Sequence, residues 1–409
     1  MNRYNTHTLH NGMRIIHLMQ DSEVIYCGYA IKAGTRDEAQ DEYGLAHFCE
    51  HTTFKGTNKR TSIQIINSLE SVGGELNAFT AKEETVYYSA VLRQYFHRAV
   101  DLLTDIVFNS QYPQSEIEKE VEVVCDEIES YNDSPAELIY DEFENEFFRG
   151  QDLGHSVLGT PEGVRRFCTS DCQRFTGRLY LPSRMVFYVV GNIDFTKLVK
   201  KLERLTPADS MNHGTSQTTP VPLIMPTASI KRMRKDTHQN HIMIGTATRS
   251  DIERWRIPLF LVNNMLGGPG MNSRLNLALR ERRGLVYGVE SVMTTYTDTL
   301  TWTVYFGCDA ESNSRCRRLT MSELRRLRRQ PLSANTLHAA KRQLKGQLAL
   351  AAQHRENYAI DMAKQYLHYN KLRDDADICN RIDRVTPDDI HQLMNTILSE
   401  ERLFTLIFK

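Results

Sequence analysis

The sequence lacks the features that would direct the protein to a membrane, to nucleic acid or out of the cell. No apolar run approaches the ~20 residues that a membrane-spanning helix requires. The start, MNRYNTHTLHNGMRIIHLMQ, has neither the apolar stretch nor the small-residue cleavage site of a secretory signal. Lys plus Arg (50) and Asp plus Glu (51) nearly cancel, so no net charge attracts the chain to nucleic acid or lipid headgroups. None of the eight cysteines forms a CxxC pair, and a reduced, cytoplasmic protein is therefore expected.

The composition is that of an ordinary globular protein, with 41% hydrophobic and 25% charged residues. A chain of 409 residues usually forms two or more domains. Residues 207–227 are rich in Pro, Ser, Thr and Gly and have little periodicity, which indicates a linker. The predicted domains are therefore residues 1–206 and 228–409. Their similar length and order of elements make a duplicated domain plausible, although direct identity between the halves is too weak to prove it.

Apolar patterns in the first half alternate between the periods of strands and helices. Strands are predicted at MRIIHLMQ, VIYCGYAIKAG, ELNAFTA, TVYYSAVL and RMVFYVVGNID, and helices at 44–54, 62–72, 93–109, 114–131 and 161–180. The second half restarts with the strand HIMIGTATR and ends with the strand LFTLIFK. This order predicts an α+β fold of two related domains of about 200 residues. Each would have a mostly antiparallel sheet with helices packed on one face.

The stretch GLAHFCEHTTFKGT (residues 44–57) places His47 and His51 four residues apart, with Glu50 between them. On a helix the two imidazoles lie one turn apart on one face and can share a divalent metal. Glu50 lies about 60° around the helix from His47, close enough to reach a metal-bound water. HxxEH reverses the commoner HExxH order but uses the same chemistry, with two His ligands and a Glu base. The alternative is a helix whose histidines only form hydrogen bonds in a core or at a surface.

A catalytic zinc site takes a third protein ligand and keeps a fourth position open. The predicted helix QSEIEKEVEVVCDEIESYN contains two candidates, because Glu120 and Glu127 fall about 40° and 60° from Val124, at the edge of its apolar stripe. Carboxylates at the margin of a core need a partner, which a metal and its surroundings would supply. From this helix alone, both are better interpreted as ordinary residues of a Glu-rich helix.

HxxEH and the spacing from His51 to Glu127 together resemble the pitrilysin/insulysin family of zinc peptidases. The resemblance is closest to the mitochondrial-processing-peptidase-like branch, as a bacterial-type subunit that supplies a single half. It covers essentially the whole chain, through the blocks GLAHFCEHTTFKGT, SVGGELNAFTAKEETVYYSAVL, EKEVEVVCDEI, RLYLPSRMVFYVVGNID and LRERRGLVYGV. By this resemblance, the ligands of one Zn²⁺ per chain are His47, His51 and Glu127. Glu50 would be the general base acting on zinc-bound water, and Glu120 would orient a ligand.

The resemblance also implies how a substrate is held. LNAFTAKEETVYY is similar to the family's edge-strand segment, which receives an extended peptide as an added β-strand. The positions carried over as substrate-binding are Asn77, Ala78, Phe79 and Glu83. Without the family match, this stretch is an ordinary hairpin.

The second half supplies a further pair of candidates. Relatives use an Arg and a Tyr with the spacing of Arg280 and Tyr287 to hold the substrate carbonyl and stabilise the oxyanion. Alone, Arg280 would be interpreted as a solvated charge in an Arg-rich segment. The preceding LGGPGMNSRL resembles the family's glycine-rich loop, which in its long form gates or senses substrate. A phosphate-binding interpretation is weak, because no Lys-Ser/Thr follows the glycines.

The length of the chain bears on assembly. Relatives of about twice this length close two halves around a chamber, and this chain supplies one half, so the resemblance implies a dimer. A homodimer is expected, with a heterodimer of related subunits as the alternative. The expected function is zinc-dependent endopeptidase activity on extended, unfolded or short peptides inside a dimeric chamber, without nucleic-acid or membrane partners. The alternatives are a leader- or presequence-processing subunit that works with a partner chain, and a non-catalytic substrate receptor. Degenerate relatives lose a ligand or the base, whereas this chain keeps all four residues.

Overall fold

The computed structural model describes residues 4–208, 228–235 and 237–409, so most of the predicted linker lies outside the described residues. The chain divides into two units. Unit 1 takes the described residues within 1–130, 155–220 and 351–374, and unit 2 takes those within 131–154, 221–350 and 375–409. Each unit contains one sheet with helices, which confirms the predicted α+β class and the two related domains.

Eleven strands are numbered along the described chain. They are β1 (Tyr4–Thr8), β2 (Arg14–Leu18), β3 (Val24–Ile31), β4 (Glu75–Thr80), β5 (Thr85–Leu92), β6 (Met185–Val190), β7 (Ser229–Met233), β8 (Asn240–Thr248), β9 (Val286–Thr295), β10 (Leu300–Cys308) and β11 (Phe404–Phe408). The first six form the sheet of unit 1 and the other five form the sheet of unit 2.

Fourteen α-helices are numbered in the same way. They are α1 (Leu45–Thr53), α2 (Ser62–Glu70), α3 (Phe96–Asn109), α4 (Gln114–Asn132), α5 (Pro135–Phe147), α6 (Pro161–Val164), α7 (Thr169–Leu179), α8 (Phe195–Leu205), α9 (Ile252–Gly267), α10 (Asn313–Arg329), α11 (Ala334–Ala351), α12 (Arg355–Tyr369), α13 (Asp375–Arg384) and α14 (Pro387–Thr396). Within the described ranges, none of these helices combines the length and the apolar character needed to cross a bilayer.

The two sheets have the same topology. In unit 1 the order is β1-β2-β6-β3-β5-β4, and in unit 2 it is β7-β11-β8-β10-β9. In each unit the last strand lies parallel to an early strand, β2 with β6 and β7 with β11, while the other pairs are antiparallel. If β1 is set aside, the strands correspond one to one. This shared connectivity supports a duplicated domain.

Both faces of each sheet are covered, which corrects the prediction that helices pack on one face only. In unit 1, α1 and α3 pack with the main apolar core on one face, and α12 covers the other face through residues such as Met362 and Ala363. In unit 2, α9 packs with the main core, and α5 covers the second face through Ile139 and Phe143. The helices on the second faces, α12 and α5, each come from the opposite half of the chain. Apolar periodicity shows which side of a helix is buried but not which sheet buries it.

Helix boundaries follow local capping. The helix predicted across 161–180 is in fact two helices, α6 and α7. The Asp171 carboxylate accepts a hydrogen bond from the Cys168 backbone N–H (3.0 Å) and so starts a new helix at Thr169. Thr61 caps α2 through a reciprocal pair of hydrogen bonds with Gln64.

β4 lies at the edge of the unit 1 sheet and pairs with β5 on its inner side. Its outer side has no strand partner within the part of the chain that the structure describes. The strand is short, and the hairpin turn that follows it leads directly into β5. This edge lies in contact with α1, the helix that carries the HxxEH motif.

Candidate metal centre

Helix α1 carries polar side chains although it is almost wholly buried. Of its nine residues, His51 is the single one that is not buried. Gly44 directly precedes the helix, and its φ of 94° is a left-handed conformation that favours glycine. A side chain at Gly44 would also come within 2.7 Å of the Gly159 Cα atom. The buried imidazole of His47 and the buried carboxylate of Glu50 cost free energy in such a helix unless they have partners.

The three predicted ligands meet at one point. The rings of His47 and His51 lie 4.6 Å apart between centroids. From α4, Glu127 brings Oε2 to 3.8 Å from His47 Nε2 and to 3.4 Å from His51 Nε2. One donor atom from each residue lies within 4.8 Å of the other two. The stripe-edge position that made Glu127 a weak candidate on its own therefore faces the HxxEH helix.

Glu120 fixes the orientation of one imidazole. Its Oε1 lies 3.0 Å from His51 Nδ1, and its Oε2 lies 2.5 Å from Lys55 Nζ. With Nδ1 held in this way, the Nε2 of His51 faces Glu127. Two imidazoles, one carboxylate and a carboxylate behind a histidine make the donor set of a catalytic zinc site. The residues therefore fit a zinc ion.

Burial and neighbouring charges give the two histidines different pKa values. Burial, together with the neighbouring His51, lowers the pKa of His47 to about 4, so its ring is neutral at pH 7. Burial also acts to lower the pKa of His51, but hydrogen bonds with Glu120 and Glu127 and the charge of Glu50 raise it to about 9. A hydrogen bond with His51 lowers the pKa of Glu127. The carboxylate is ionised as a result, the form in which it can bind a cation.

Glu50 is buried beside this group, with 9% of its surface exposed. Its Oε2 accepts a hydrogen bond from the Thr80 hydroxyl at 3.1 Å, so the last residue of β4 orients the carboxylate. Burial raises the pKa of Glu50, while the charge of His51 and the Thr80 hydrogen bond partly offset the rise. A carboxylate with a raised pKa is a better proton acceptor, which suits a general base.

The predicted peptide-binding residues lie on and after β4. Asn77 is exposed, whereas Ala78 and Phe79 are partly buried on opposite faces of the sheet. Glu83 lies in the following turn and forms an ion pair with Arg36 (2.6 Å). The first three side chains lie on a strand whose outer edge has no strand partner among the described residues, the arrangement that strand addition needs.

A second group of possible ligands, Glu83, Glu84 and His368, also lies within 4.8 Å. These carboxylates already have cationic partners. Lys364 Nζ lies 2.6 Å from Glu84, and His368 Nε2 lies 2.8 Å from it. With Arg36 on Glu83, this group is an ion-pair network that ties α12 to the β4–β5 turn.

The remaining predicted residues belong to unit 2. Arg280 lies in a π-helical segment, Asn276–Glu281, and its half-exposed side chain approaches Glu281 at 3.8 Å. Tyr287 projects from the edge strand β9 and is 86% exposed. The glycine-rich loop and Arg280 line a cavity of about 350 Å³. The side chains of Arg280 and Tyr287 are both outside the core of unit 2.

Sequence reasoning missed several residues around the centre. They are Glu38, Lys55, Thr80 and His155. Lys55 lies four residues after His51 and Thr80 lies within a predicted strand, but neither position has a pattern that indicates its partner. Glu38 and His155 lie in irregular segments without apolar periodicity. Glu38 and His155 come into contact only in the folded chain, so no sequence pattern indicates that contact.

Comparison with known proteins gives one family. Residues 16–161 match the family model described as "Insulinase (Peptidase family M16)", and residues 170–344 match "Peptidase M16 inactive domain". A protein of Rickettsia bellii named "Uncharacterized zinc protease" is 31% identical over 99% of this chain and 97% of its own length. A Bacillus subtilis protein, also named an uncharacterized zinc protease, is 30% identical over 98% of this chain and 97% of its own.

Solved structures agree on the fold. A protease from Helicobacter pylori has a TM-score of 0.89 at 20% identity and covers 100% of both chains. A Pseudomonas fluorescens structure described as a peptidase M16 inactive domain has a TM-score of 0.89 at 17% identity, covering 99% of this chain and 97% of that one.

Proposed function

Because the chain belongs to the insulinase family of peptidases, family M16, we propose that it is a zinc-dependent endopeptidase. The observation that carries the proposal is the convergence of His47, His51 and Glu127 within 4.8 Å, next to the buried carboxylate of Glu50. Curated relatives that match nearly the whole chain carry the name zinc protease, which supports zinc as the metal.

The proposed reaction is hydrolysis of a peptide bond. A zinc ion held by His47, His51 and Glu127 would supply a Lewis acid that polarises the scissile carbonyl and makes water more acidic. Glu50 takes a proton from the attacking water as its oxygen bonds to the carbonyl carbon. As the C–N bond breaks, Glu50 passes that proton to the leaving nitrogen. Thr80 keeps the Glu50 carboxylate oriented through its hydrogen bond.

The proposed substrates are unfolded or short peptides in an extended conformation. A peptide laid along the outer edge of β4 would form main-chain hydrogen bonds with that strand, so binding would depend weakly on sequence. Asn77 is exposed on this strand and would contact the peptide. The proposed active species is a cytoplasmic dimer that encloses the substrate, and the eight free cysteines fit a reducing compartment.

Metal content and peptide cleavage test this proposal together. The purified protein should contain about one zinc per chain and cut an internally quenched peptide. His51→Ala should lose most of the metal, whereas Glu50→Gln should keep the metal and lose the activity. The control is Glu122→Gln, which changes an exposed carboxylate on the helix that carries Glu127. Near-normal turnover by Glu50→Gln would show that the general base has been assigned wrongly.

A further inference from the structure

His155 is a buried residue of unit 1 that the reaction described above does not use. Its side chain is 6% exposed, and its ring stacks on Tyr43 with centroids 3.8 Å apart and planes 8° from parallel. Nε2 lies 3.1 Å from Glu38 Oε2 and 3.0 Å from the Thr35 carbonyl oxygen. Nδ1 is buried and has no hydrogen-bond partner among the residues that the structure describes. Because both acceptors face Nε2, the ring proton lies on Nε2, and His155 acts as a donor.

Glu38 carries this contact to the helix with the HxxEH motif. Its Oε1 accepts from the Ala46 backbone N–H at 2.7 Å, and its Oε2 accepts from the Gly44 N–H at 3.1 Å. Gly44 has no side chain with which to cap α1, so Glu38 supplies the cap from outside the helix. A carboxylate at a helix N-terminus satisfies free N–H groups and interacts well with the helix dipole. The Glu38 side chain is fully buried, and the capped residue Ala46 directly precedes His47.

The backbone of His155 reaches a different element. Its carbonyl oxygen accepts a hydrogen bond from Lys82 Nζ. Lys82 lies in the turn between β4 and β5. The same turn bonds to the segment before α1, through Thr35 N to the Ala81 carbonyl (3.2 Å) and Arg36 N to the Lys82 carbonyl (2.8 Å). His155 therefore contacts both Glu38, which caps α1, and Lys82, which lies in the turn between β4 and β5.

We propose that His155 is a positioning residue that holds helix α1 and the edge strand β4 in a fixed register. Its side chain acts through Glu38 on the helix that carries the proposed metal ligands, and its carbonyl acts through Lys82 on the strand proposed to bind the peptide. This inference rests on the proposed function. A peptide on β4 must present its scissile carbonyl to the metal ligands and to Glu50 in one geometry, and a displacement of 1 Å can cost about 100-fold in rate. His155 adds to this geometry through both its side chain and its carbonyl, alongside the Thr80–Glu50 hydrogen bond and the backbone bonds of Thr35 and Arg36.

Two substitutions at His155 separate positioning from packing. His155→Phe keeps an aromatic ring stacked on Tyr43 but removes the N–H donor, whereas His155→Gln keeps a donor near Nε2. The Phe variant should lose about 10–100-fold in kcat and about tenfold in affinity for Co²⁺ or Zn²⁺. The Gln variant should recover most of both. Lys82→Met should raise KM and leave the metal affinity unchanged, because it releases the strand but not the helix.

The chain offers a matched control in His17. This histidine is also buried in unit 1, its Nε2 contacts the Gly191 carbonyl at 2.8 Å, and its ring stacks on Phe195. His17→Phe removes a similar N–H and should lower thermal stability without changing metal affinity or kcat. A role of His155 in folding alone would give His155→Phe this same result.

The experiment combines Co²⁺ and Zn²⁺ titration of the metal-free protein by chelator competition, quenched-peptide kinetics and thermal unfolding of each variant. Loss of kcat and metal affinity in His155→Phe, recovery in His155→Gln and normal values in His17→Phe support the inference. If the wild type is active and His155→Phe matches it or behaves as His17→Phe does, this inference is wrong and the proposed function stands. If the Phe variant does not fold, an unchanged KM in Lys82→Met overturns the inference. A wild type that binds no metal and cuts no peptide overturns the proposed function as well.

Discussion

The Glu120 carboxylate is the contact that decides which nitrogen of His51 faces the other ligands. It lies 3.0 Å from His51 Nδ1 and 2.5 Å from Lys55 Nζ, and the residue is 6% exposed. Burial would raise the pKa of Glu120, but hydrogen bonds with His51 and Lys55 lower it overall. The carboxylate is therefore ionised, and it can hold the Nδ1 proton while leaving Nε2 free for a metal.

Glu120→Gln should weaken zinc binding without removing any ligand. The amide lacks the charge that holds both partners, so His51 can rotate, and we expect zinc affinity and kcat/KM to fall about 10–100-fold. Competition with a chelator of known affinity measures the first quantity, and peptide cleavage measures the second. Glu122→Gln, exposed on the same helix, should match the wild type. Equal zinc affinity in the two variants would contradict the role assigned to Glu120.

Some of the residues at the candidate site can be predicted from the sequence, and others cannot. Glu120 and Glu127 can be predicted as candidates because a helix of fixed period sets their angles from the apolar stripe. His155 and Glu38 cannot, since the contact between them joins positions 117 residues apart, in loops that have no period. The sequence of helix α1 shows two histidines with metal-ligand spacing. The carboxylate that caps the first turn of this helix, Glu38, lies outside it and has no such signal.

Strand β4 is the element on which peptide binding should depend. A peptide added to its edge would form main-chain hydrogen bonds through every second residue. A series of peptides, each with one N-methyl group, should therefore show losses of kcat/KM that alternate along the chain. Each lost hydrogen bond is worth about 1 kcal/mol, and the methyl group adds a steric clash. A matched series with alanine at the same positions controls for side-chain effects. A loss without alternation would argue against strand addition.

The ion-pair network beneath α12 predicts a pH dependence of stability. Burial would raise the pKa of Glu84, but hydrogen bonds from His368 and Lys364 and the charge of Lys364 lower it overall. A lowered pKa means that Glu84 stabilises the fold fully above the ordinary glutamate pKa of about 4.3. That contribution is lost as the pH falls through the lower folded value.

Glu84→Gln should accordingly destabilise unit 1 near neutral pH and not in acid. We expect the free energy of unfolding at pH 7 to fall by about 1–3 kcal/mol, less than for a fully buried pair because the Lys364 side chain is 37% exposed. The difference from the wild type should shrink below about pH 4. Urea unfolding at both pH values measures it, with the exposed Glu70→Gln as control. A difference that stays constant with pH would mean that Glu84 stabilises α12 by packing alone.

Helices and strands with a clear apolar period can be predicted from the sequence. The elements that they pack against cannot. The strands MRIIHLMQ and TVYYSAVL correspond to β2 and β5, and helix 44–54 corresponds to α1. The break at Arg165–Cys168 was not predicted, because the cap of α7 interrupts a helix whose apolar period continues. The place of α12 on the sheet of unit 1 depends on tertiary contacts, for which a helical period carries no information.

At the scale of the whole molecule, two units with matching sheet topology carry different candidate site residues. HxxEH and Glu127 lie in unit 1, and the family model matching residues 170–344 is described as an inactive domain. Unit 2 carries Tyr287, which is 86% exposed, and Arg280, which is about half exposed. An exposed Tyr and a half-exposed Arg contribute little to the core of their own unit. We propose that they act on substrate at the metal site of a partner chain.

Mixing two inactive variants tests this arrangement. Glu50→Gln leaves the Arg280–Tyr287 pair intact, and Tyr287→Phe leaves the metal site intact. If each active site combines the two from different chains, the mixed dimer contains one complete site and should recover up to about half the wild-type activity. If both act within one chain, the mixed dimer has no complete site and should stay inactive.

The reciprocal mixture makes the test decisive. A wild-type chain paired with the Glu50→Gln/Tyr287→Phe double variant has no complete site when sites are shared, because each intact part faces a damaged one. When sites are not shared, the same dimer keeps one complete site and about half the activity. Native mass spectrometry of each mixture measures the fraction of mixed dimers, and quenched-peptide cleavage measures the activity. Recovery in the first mixture with loss in the second requires that unit 2 of one chain serves the metal site of the other, whereas the opposite pattern would place both within one chain.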